Sequence, residues 1–264
     1  MYRLTREVRF AINATPDDQL SRPPANSYAG YPSLTGLGYY FALEVTLAGA
    51  LQTSGYLRNI KEIDRQVRSI AIPVVDDLVR TRHFTPSTVL ALLFAKLRDA
   101  WPGSTLDRLR LSLSPFLSVS TTAKEYPMTR LSQKFEFSAS HRLHDPSLTE
   151  EGNRQTYGKC NNPHGHGHNY ELQVTLVGTP DPSTGLLVDV PAFERTVADT
   201  VVSKFDHKNL NAELDEFRNL VPSVENIAGV IYGLLKPKLT SARTRLASVR
   251  VWETPKTFCE YGED

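Results

Sequence analysis

Two stretches of the chain alternate apolar and polar residues in the way that a half-buried β-strand does. The first runs from Tyr40 to Gly49, and the second runs from Asn169 to Gly178, 129 positions later. Residues two apart in a strand point to the same face. In the second stretch this alternation places on one face Tyr170, Leu172, Val174 and Leu176. We expect each stretch to pack on a core through its apolar face.

The segments around these strands recur in the same order in each half. An upstream strand, a Gly-led turn into a helix, a helix start containing Pro and Ser, and a closing strand all appear twice. The matching pairs are 8–11 with 135–138, 55–60 with 185–190, 85–87 with 221–223, and 109–113 with 246–252. In the second half, the helix after residue 190 carries its apolar side chains on one stripe formed by Phe193, Val197 and Val201.

This order predicts an α+β fold, in which an antiparallel sheet carries two helices on one face in each of two tandem domains. We expect a first domain over residues 1–125 and a second over residues 131–264. The join falls in the polar stretch Thr121–Arg130, which contains Pro127. A single large α+β domain with a chance internal similarity is the alternative.

Composition narrows the class of protein. The 264 residues are 40% hydrophobic and 22% charged, which excludes wholesale disorder. A formal net charge of +1 argues against a nucleic-acid partner. No apolar run approaches the roughly 20 residues that span a bilayer, and the first residues lack the apolar core of a signal peptide. With only two cysteines the sequence predicts no disulfide framework, so we expect a cytoplasmic protein without a membrane partner.

The two halves differ in charge and chemistry. Residues 1–130 carry 16 Lys or Arg and 11 Asp or Glu, whereas residues 131–264 carry 14 and 18. Six of the seven histidines and both cysteines lie in the second half. Metal or acid–base chemistry is therefore expected there.

The densest group of such residues is Cys160-Asn-Asn-Pro-His164-Gly-His166-Gly-His168, which leads directly into the second strand. His166 and His168 are two apart, so their side chains point to one face and can converge on one metal ion. A catalytic zinc takes three protein ligands and keeps one position open, and His141 at the end of the preceding strand is the best third ligand. His164 could extend the site. The alternative is a polar surface strand that binds metals adventitiously.

Residues 133–263 resemble the 6-pyruvoyl-tetrahydropterin synthase family, which also contains the 6-carboxytetrahydropterin synthases of queuosine biosynthesis. Seven blocks carry the resemblance in the expected order: 137–143, 158–163, 165–170, 184–185, 206–210, 225–228 and 252–254. The resemblance implies the tunnelling fold, with units that close into a ring and therefore a homo-oligomer. It also implies a lyase that acts on 7,8-dihydroneopterin triphosphate, releasing triphosphate on the way to a pyruvoyl or a carboxy product.

The resemblance also assigns residues. The family's zinc ligands fall on His141, His166 and His168, and its general base falls on Cys160. Its proton relay falls on Asp206 and His207, and its pterin-anchoring carboxylate falls on Glu253. Glu225 has two possible roles: it contacts the substrate, or it only stabilises the start of its helix, since an acidic residue in the first turn interacts favourably with the helix dipole. The other residues also have purely structural alternatives: Cys160 as a buried thiol, residues 206–207 as a turn and Glu253 as an exposed carboxylate on a strand.

The first half keeps the pattern of the fold and loses the chemistry. Its residues at the matching positions are Ala14 for His141, Tyr31 for Cys160, Leu37 for His166 and Tyr39 for His168. We therefore expect residues 1–125 to be a structural unit without metal or catalytic residues, and Cys259 to be structural. A non-catalytic pterin-binding or assembly module built on a duplicated fold is the alternative function.

Overall fold

The structure is a computed structural model that describes residues 1–15, 26, 28–81 and 85–262. The chain divides into two compact units. Unit 1 comprises Met1–Leu131 and Gly178–Leu187, and unit 2 comprises Ser132–Val177 and Val188–Asp264.

Unit 1 contains four antiparallel strands in the order β1-β2-β3-β4 and two helices. Its elements are β1 (Tyr2–Asn13), β2 (Gly38–Gly49), α1 (Ile60–Thr81), α2 (Pro86–Leu97), β3 (Ser104–Ser112) and β4 (Leu117–Thr122). In unit 2 the strands follow the order β5-β6-β8-β9, and the two-residue β7 pairs with β5 in parallel. Its elements are β5 (Thr129–His141), α3 (Glu150–Tyr157), β6 (His166–Gly178), α4 (Val190–Val197), α5 (Ser203–Phe205), β7 (Lys208–Asn209), α6 (Leu210–Glu213), α7 (Val224–Leu239), β8 (Thr244–Thr254) and β9 (Thr257–Gly262).

The alternating stretches are strands, as predicted, and their apolar faces form the cores. In β6 the four side chains expected on one face are all buried. In β2 the alternate residues Phe41, Leu43, Val45 and Leu47 are likewise buried. Burying one such side chain fully stabilises a fold by roughly 1.5–3 kcal/mol, so this alternation determines which face of each strand turns inward.

The predicted helix starts are also confirmed. The Thr85 hydroxyl accepts a hydrogen bond from the Thr88 amide at the start of α2, and Ser223 accepts one from the Asn226 amide at the start of α7. The stripe expected after residue 190 is buried, but its helix is interrupted by a π-helical turn at Ala198–Val202 before α5. The chain leaves α5 at Asp206.

Strands extend into the stretch expected as a polar join. β4 continues to Thr122 and β5 begins at Thr129, so only residues 123–128 form a turn. Within the described residues, no helix has both the length and the apolar character needed to cross a membrane.

Candidate metal and acid–base site

Three histidines meet at one end of the unit 2 sheet. β5 ends at His141 and the neighbouring β6 begins at His166, so the pairing of these strands brings the histidines together. The Nε2 atoms of His141 and His166 lie 3.2 Å apart. The ring centre of His168 is 4.8 Å from that of His166 and 5.2 Å from that of His141. His141 is completely buried.

The fourth member of this group is Glu253, near the end of β8, the strand that pairs with β6 on its other side. Its Oε1 atom lies 3.2 Å from Nε2 of His141 and 3.4 Å from Nε2 of His168. One potential ligand atom from each of the four residues lies within 4.8 Å of the others. The sequence assigned Glu253 to the substrate and did not predict its contact with the imidazoles, because β8 is distant in the chain.

The electrostatics of the group favour neutral His166 and His168 beside an ionised carboxylate. Burial lowers the pKa of both imidazoles and His141 lowers both further, whereas Glu253 acts in the opposite direction without reversing the shift. The hydrogen bond with His141 lowers the pKa of the Glu253 carboxyl against the opposing effect of burial. Neutral imidazoles and carboxylates are the forms that bind a divalent cation.

The second ring nitrogen of His141, Nδ1, has a backbone partner of its own. The Nδ1 atom lies 2.7 Å from the carbonyl oxygen of Pro222, just before α7. In the neutral ring with its proton on Nδ1, that N–H donates to Pro222 and Nε2 is a lone pair that can bind a cation, whereas in the other tautomer Nε2 donates to Glu253. Metal-bound histidines usually donate from their second nitrogen, as in the first of these tautomers. The hydroxyl of Tyr170 lies 3.4 Å from the same Nδ1 atom, and burial raises the pKa of that hydroxyl.

These residues have the donor atoms to hold a divalent metal ion. Metal–nitrogen bonds of about 2.0–2.1 Å, as for zinc, place the donors of a tetrahedral site about 3.3 Å apart, close to the 3.2 Å between Nε2 of His141 and Nε2 of His166. Within the described part of the chain, Nε2 of His168 is buried without a hydrogen-bond partner. A buried polar atom that lacks a partner is costly, and a bound cation would satisfy it.

Cys160 lies in the short 3₁₀ turn Gly158–Asn161 and is partly buried. The carbonyl oxygen of Cys160 accepts a hydrogen bond from the Leu143 amide at 2.9 Å, which ties the turn to the segment that follows β5. Burial raises the pKa of Tyr170, and negative charges on Glu253 and on a Cys160 thiolate raise it further.

Asp206 and His207 form a hydrogen-bonded dyad held by β5. Oδ2 of Asp206 lies 2.7 Å from Nδ1 of His207, and Oδ1 accepts a hydrogen bond from the Ser138 amide at 2.8 Å. That amide and the contact with His207 lower the pKa of the Asp206 carboxyl. His207 has a φ of 57°, and its amide donates to the Ser138 carbonyl.

The His207 ring is exposed and borders a cavity of about 560 Å³ that His168 also lines. Among the residues that the structure describes, no hydrogen bond joins the Cys160 thiol to His207. The contact between Asp206 and His207 is therefore formed within one chain, whereas a contact between His207 and the Cys160 thiol is not.

The remaining candidates lie outside the histidine group. Glu225 is exposed in the first turn of α7, and its charge contributes, after burial, to the raised pKa of Cys259. His164 is exposed just before β6 and is not a member of the group.

Comparison with known proteins places this site in a family context. The sequence model of the family described as 6-pyruvoyl tetrahydropterin synthase matches residues 130–264. The 6-pyruvoyl tetrahydrobiopterin synthase of Drosophila melanogaster is 35% identical over 137 residues, which cover 52% of this chain and 81% of the fly protein. The 6-carboxy-5,6,7,8-tetrahydropterin synthase of Haemophilus influenzae is 27% identical over 158 residues, covering 52% of this chain and all of that protein.

A solved structure is similar over the same part. The 6-pyruvoyl tetrahydropterin synthase of Caenorhabditis elegans aligns with a TM-score of 0.50 and 34% identity, covering 52% of this chain and 97% of the nematode chain. The matched segment contains the four potential metal ligands, Cys160 and the Asp206–His207 dyad. The chain therefore belongs to the 6-pyruvoyl tetrahydropterin synthase family.

Proposed function

We propose that this chain is a zinc-dependent lyase that converts 7,8-dihydroneopterin triphosphate to a tetrahydropterin with loss of triphosphate. The observation that carries the proposal is the group formed by His141, His166, His168 and Glu253 inside the segment that defines the family. The pyruvoyl product is favoured, because the pyruvoyl synthases are more similar to this chain than the carboxy synthases are.

The three imidazoles would hold the ion, which when bound polarises the side-chain hydroxyls of the substrate and acidifies the adjacent C–H bond. His141 is fixed by the Pro222 carbonyl, so its Nε2 needs no reorganisation to act as a ligand.

Cys160 is our candidate for the base that moves a proton between side-chain carbons. A thiol is a useful base when a nearby positive charge favours its thiolate, and a bound divalent ion close to Tyr170 would supply that charge. Asp206 keeps the Nδ1 proton of His207 in place and leaves Nε2 to exchange protons.

Because the dyad and the thiol are not joined within the chain, we propose that His207 completes the site of a neighbouring copy. The ring of units implied by the resemblance provides such neighbours. Among the strands that the structure describes, β1 and β9 each pair with a single strand, so each has an edge through which a further unit could pair.

Glu253 is our candidate for the pterin anchor. A carboxylate accepts two parallel hydrogen bonds from a ring N–H and an exocyclic amine, which is the donor pair of a pterin. The position of Glu253 beside the imidazoles fits this role, since the pterin ring of the substrate must lie next to the substrate side chain that meets the ion. Glu225 is the second candidate contact, although it is exposed in this chain.

We further propose that residues 1–125 are a degenerate copy of the same fold, which makes the chain a tandem of one silent and one catalytic domain. The order β-β-α-α-β in unit 1 matches the main elements of unit 2. At the position of the histidines, Leu37 and Tyr39 are exposed apolar residues. Unit 1 would then act as a built-in structural subunit of the ring.

The test is incubation of the purified chain with 7,8-dihydroneopterin triphosphate, with mass analysis of the pterin and measurement of released triphosphate and bound zinc. We expect about one zinc per chain and stoichiometric triphosphate release. Binding of pterin without release would instead identify a non-catalytic module. A product mass matching the carboxy compound would keep the lyase and reassign the branch.

The shared site has its own test. Cys160→Ala and His207→Ala chains, each inactive alone, are mixed after mild dissociation and reassembled. Recovery of a substantial fraction of activity supports a site built from two copies. Activity that stays at the level of the separate variants shows that thiol and dyad act within one chain.

A further inference from the structure

The geometry points to Asn211 as a positioning residue that couples the metal-ligand strand to the Cys160 turn. Its side-chain Oδ1 accepts a hydrogen bond from the Arg142 amide at 2.7 Å, and its Nδ2 donates to the Arg142 carbonyl at 3.0 Å. One amide side chain thus satisfies both backbone groups of a single residue. This inference deepens the proposed function and rests on it for the identity of the ion.

Arg142 directly follows His141, the last residue of β5. Backbone groups beyond the end of a strand lose their ladder partners, and the Asn211 amide replaces those partners for one more residue. The main chain of His141 is therefore held on both sides, by the sheet before it and by Asn211 after it. The ring of His141 is hydrogen-bonded to the Pro222 carbonyl. A shift of the His141 backbone would strain that bond and move Nε2 away from the position in which it would bind the ion.

The Arg142 side chain reaches from this point to the thiol turn. Its Nε donates to the Asn161 carbonyl at 3.0 Å, and Nη2 lies 3.4 Å from the Asn161 side-chain oxygen. Buried Asn161 returns a hydrogen bond from Nδ2 to the Leu143 carbonyl at 2.7 Å. Cys160, which precedes Asn161, is held as well, because its carbonyl oxygen accepts the hydrogen bond from the Leu143 amide.

Asn211 is itself fixed by the loop that carries the dyad. The Asn209 side chain caps the start of α6 by accepting hydrogen bonds from the backbone amides of Asn211 and Ala212. The Asn209 amide in turn donates to Glu213 at 2.9 Å. A single short segment, 206–213, therefore positions the acid–base dyad and also clamps the strand end that bears the first metal ligand.

Residues that orient metal ligands typically change metal affinity or activity by 10–100-fold when mutated. We therefore expect loss of the Asn211 amide to weaken zinc binding and to change the exposure of the Cys160 thiol, although Asn211 touches neither the ion nor the thiol. A residue with a merely structural role would lower stability without moving either quantity in the folded protein.

The test uses the full chain with Cys259→Ser, which leaves Cys160 as the only thiol. The variants are Asn211→Ala, Asn211→Asp and the control Asn219→Ala, an exposed asparagine that lines the same cavity as Asn211. Zinc affinity is measured by competition with a chromophoric chelator, and the alkylation rate of Cys160 is measured with iodoacetamide. For Asn211→Ala we expect a loss of zinc affinity of about tenfold or more and an alkylation rate changed by at least about threefold. Asn219→Ala should match the parent chain.

Asn211→Asp keeps the acceptor for the Arg142 amide and loses the donor, so its effects should lie between those of Ala and the parent. A folded Asn211→Ala chain with parental zinc affinity and alkylation rate overturns the inference, even if its melting temperature falls. If the Ala variant does not fold, parental values for Asn211→Asp have the same consequence. A parent chain that binds no zinc contradicts the proposed function instead, and the alkylation rates alone then decide the role of Asn211.

Discussion

The Nε2 atoms of His141 and His166 face each other at 3.2 Å at the meeting point of two neighbouring strands. Two imidazoles at this separation, of which His141 is buried, cannot both carry a proton on the facing nitrogens without strong repulsion. Either one nitrogen donates to the other or both are lone pairs that share a cation. The second state also accounts for the buried, unpartnered Nε2 of His168.

Removal of one of these imidazoles should remove the metal. We expect His166→Ala to lose most bound zinc, because only two of the three proposed imidazole ligands remain. His164→Ala is the matched control, since His164 precedes the same strand and is exposed outside the group. Metal content by mass spectrometry of both purified variants checks this. Full occupancy in His166→Ala would contradict the assignment.

Local periodicity was sufficient to predict much of this site. The spacing His-Gly-His places two imidazoles on one face of a strand, and the apolar residues at Tyr170 and Leu172 show which face turns inward. The choice of His141 as the third ligand depended in addition on the preceding strand pairing with this one, as β5 and β6 do. Only the shared face of His166 and His168 follows from neighbours in the chain, which is where a two-residue period is informative.

Contacts between distant segments were not predictable from the same patterns. The approach of Glu253 to the imidazoles depends on β8 pairing beside β6, and the Pro222 carbonyl reaches His141 only once α7 has packed. The Asn211 clamp joins residues 69 positions apart. The π-helical turn at 198–202 was also missed, because the helical stripe is nearly the same with or without one extra residue in a turn.

The thiol should matter for turnover and not for binding. We expect Cys160→Ala to retain zinc and pterin affinity but to lose about 10²–10⁴-fold in kcat, the usual contribution of a general base. Cys259→Ala, in the solvent-facing strand β9, should keep parental kinetics. Steady-state assays of triphosphate release compare the two. Near-parental turnover in Cys160→Ala would place the base elsewhere.

Glu253→Gln separates two roles for this carboxylate. As a pterin anchor, the amide opposes a pterin donor with a donor of its own, which costs about 1–3 kcal/mol and weakens pterin affinity by about 5–150-fold. Zinc content should change little, because the three imidazoles remain. Calorimetric titration with a pterin product analogue measures the first quantity. Loss of zinc with unchanged pterin affinity would instead make Glu253 a metal ligand.

The Asp206 dyad should leave a signature in the acid stability of the chain. The Ser138 amide and His207 lower the folded-state pKa of the Asp206 carboxyl below its ordinary value. Its stabilising contribution is therefore present above the ordinary aspartate pKa of about 3.9 and is lost as the pH falls through the folded value. The melting temperature of Asp206→Asn should lie below that of the parent at pH 6, and the gap should close below about pH 4.

Asp199→Asn is the control for this experiment, because Asp199 is exposed on the preceding π-helical turn. Its melting temperature should follow that of the parent across the same range. A gap for Asp206→Asn that stays constant or widens in acid would show that the carboxylate is not the stabilised form.

Gly165, which precedes the first metal ligand of β6, provides a steric test of the site. Its φ is +72°, and a Cβ atom there would lie 2.9 Å from the carbonyl oxygen of His141. Gly103 also has a positive φ, of +79°, but a Cβ atom there meets nothing within 4 Å. Backbone with a positive φ costs an ordinary residue about 1–2 kcal/mol, so both alanine variants should be destabilised by about that amount. Gly165→Ala carries the additional cost of moving the backbone of a proposed metal ligand, so it should melt at a lower temperature than Gly103→Ala and should also bind zinc more weakly. Thermal unfolding and chelator competition on the two variants check this, and equal losses in both would mean that the His141 carbonyl moves aside without disturbing the site.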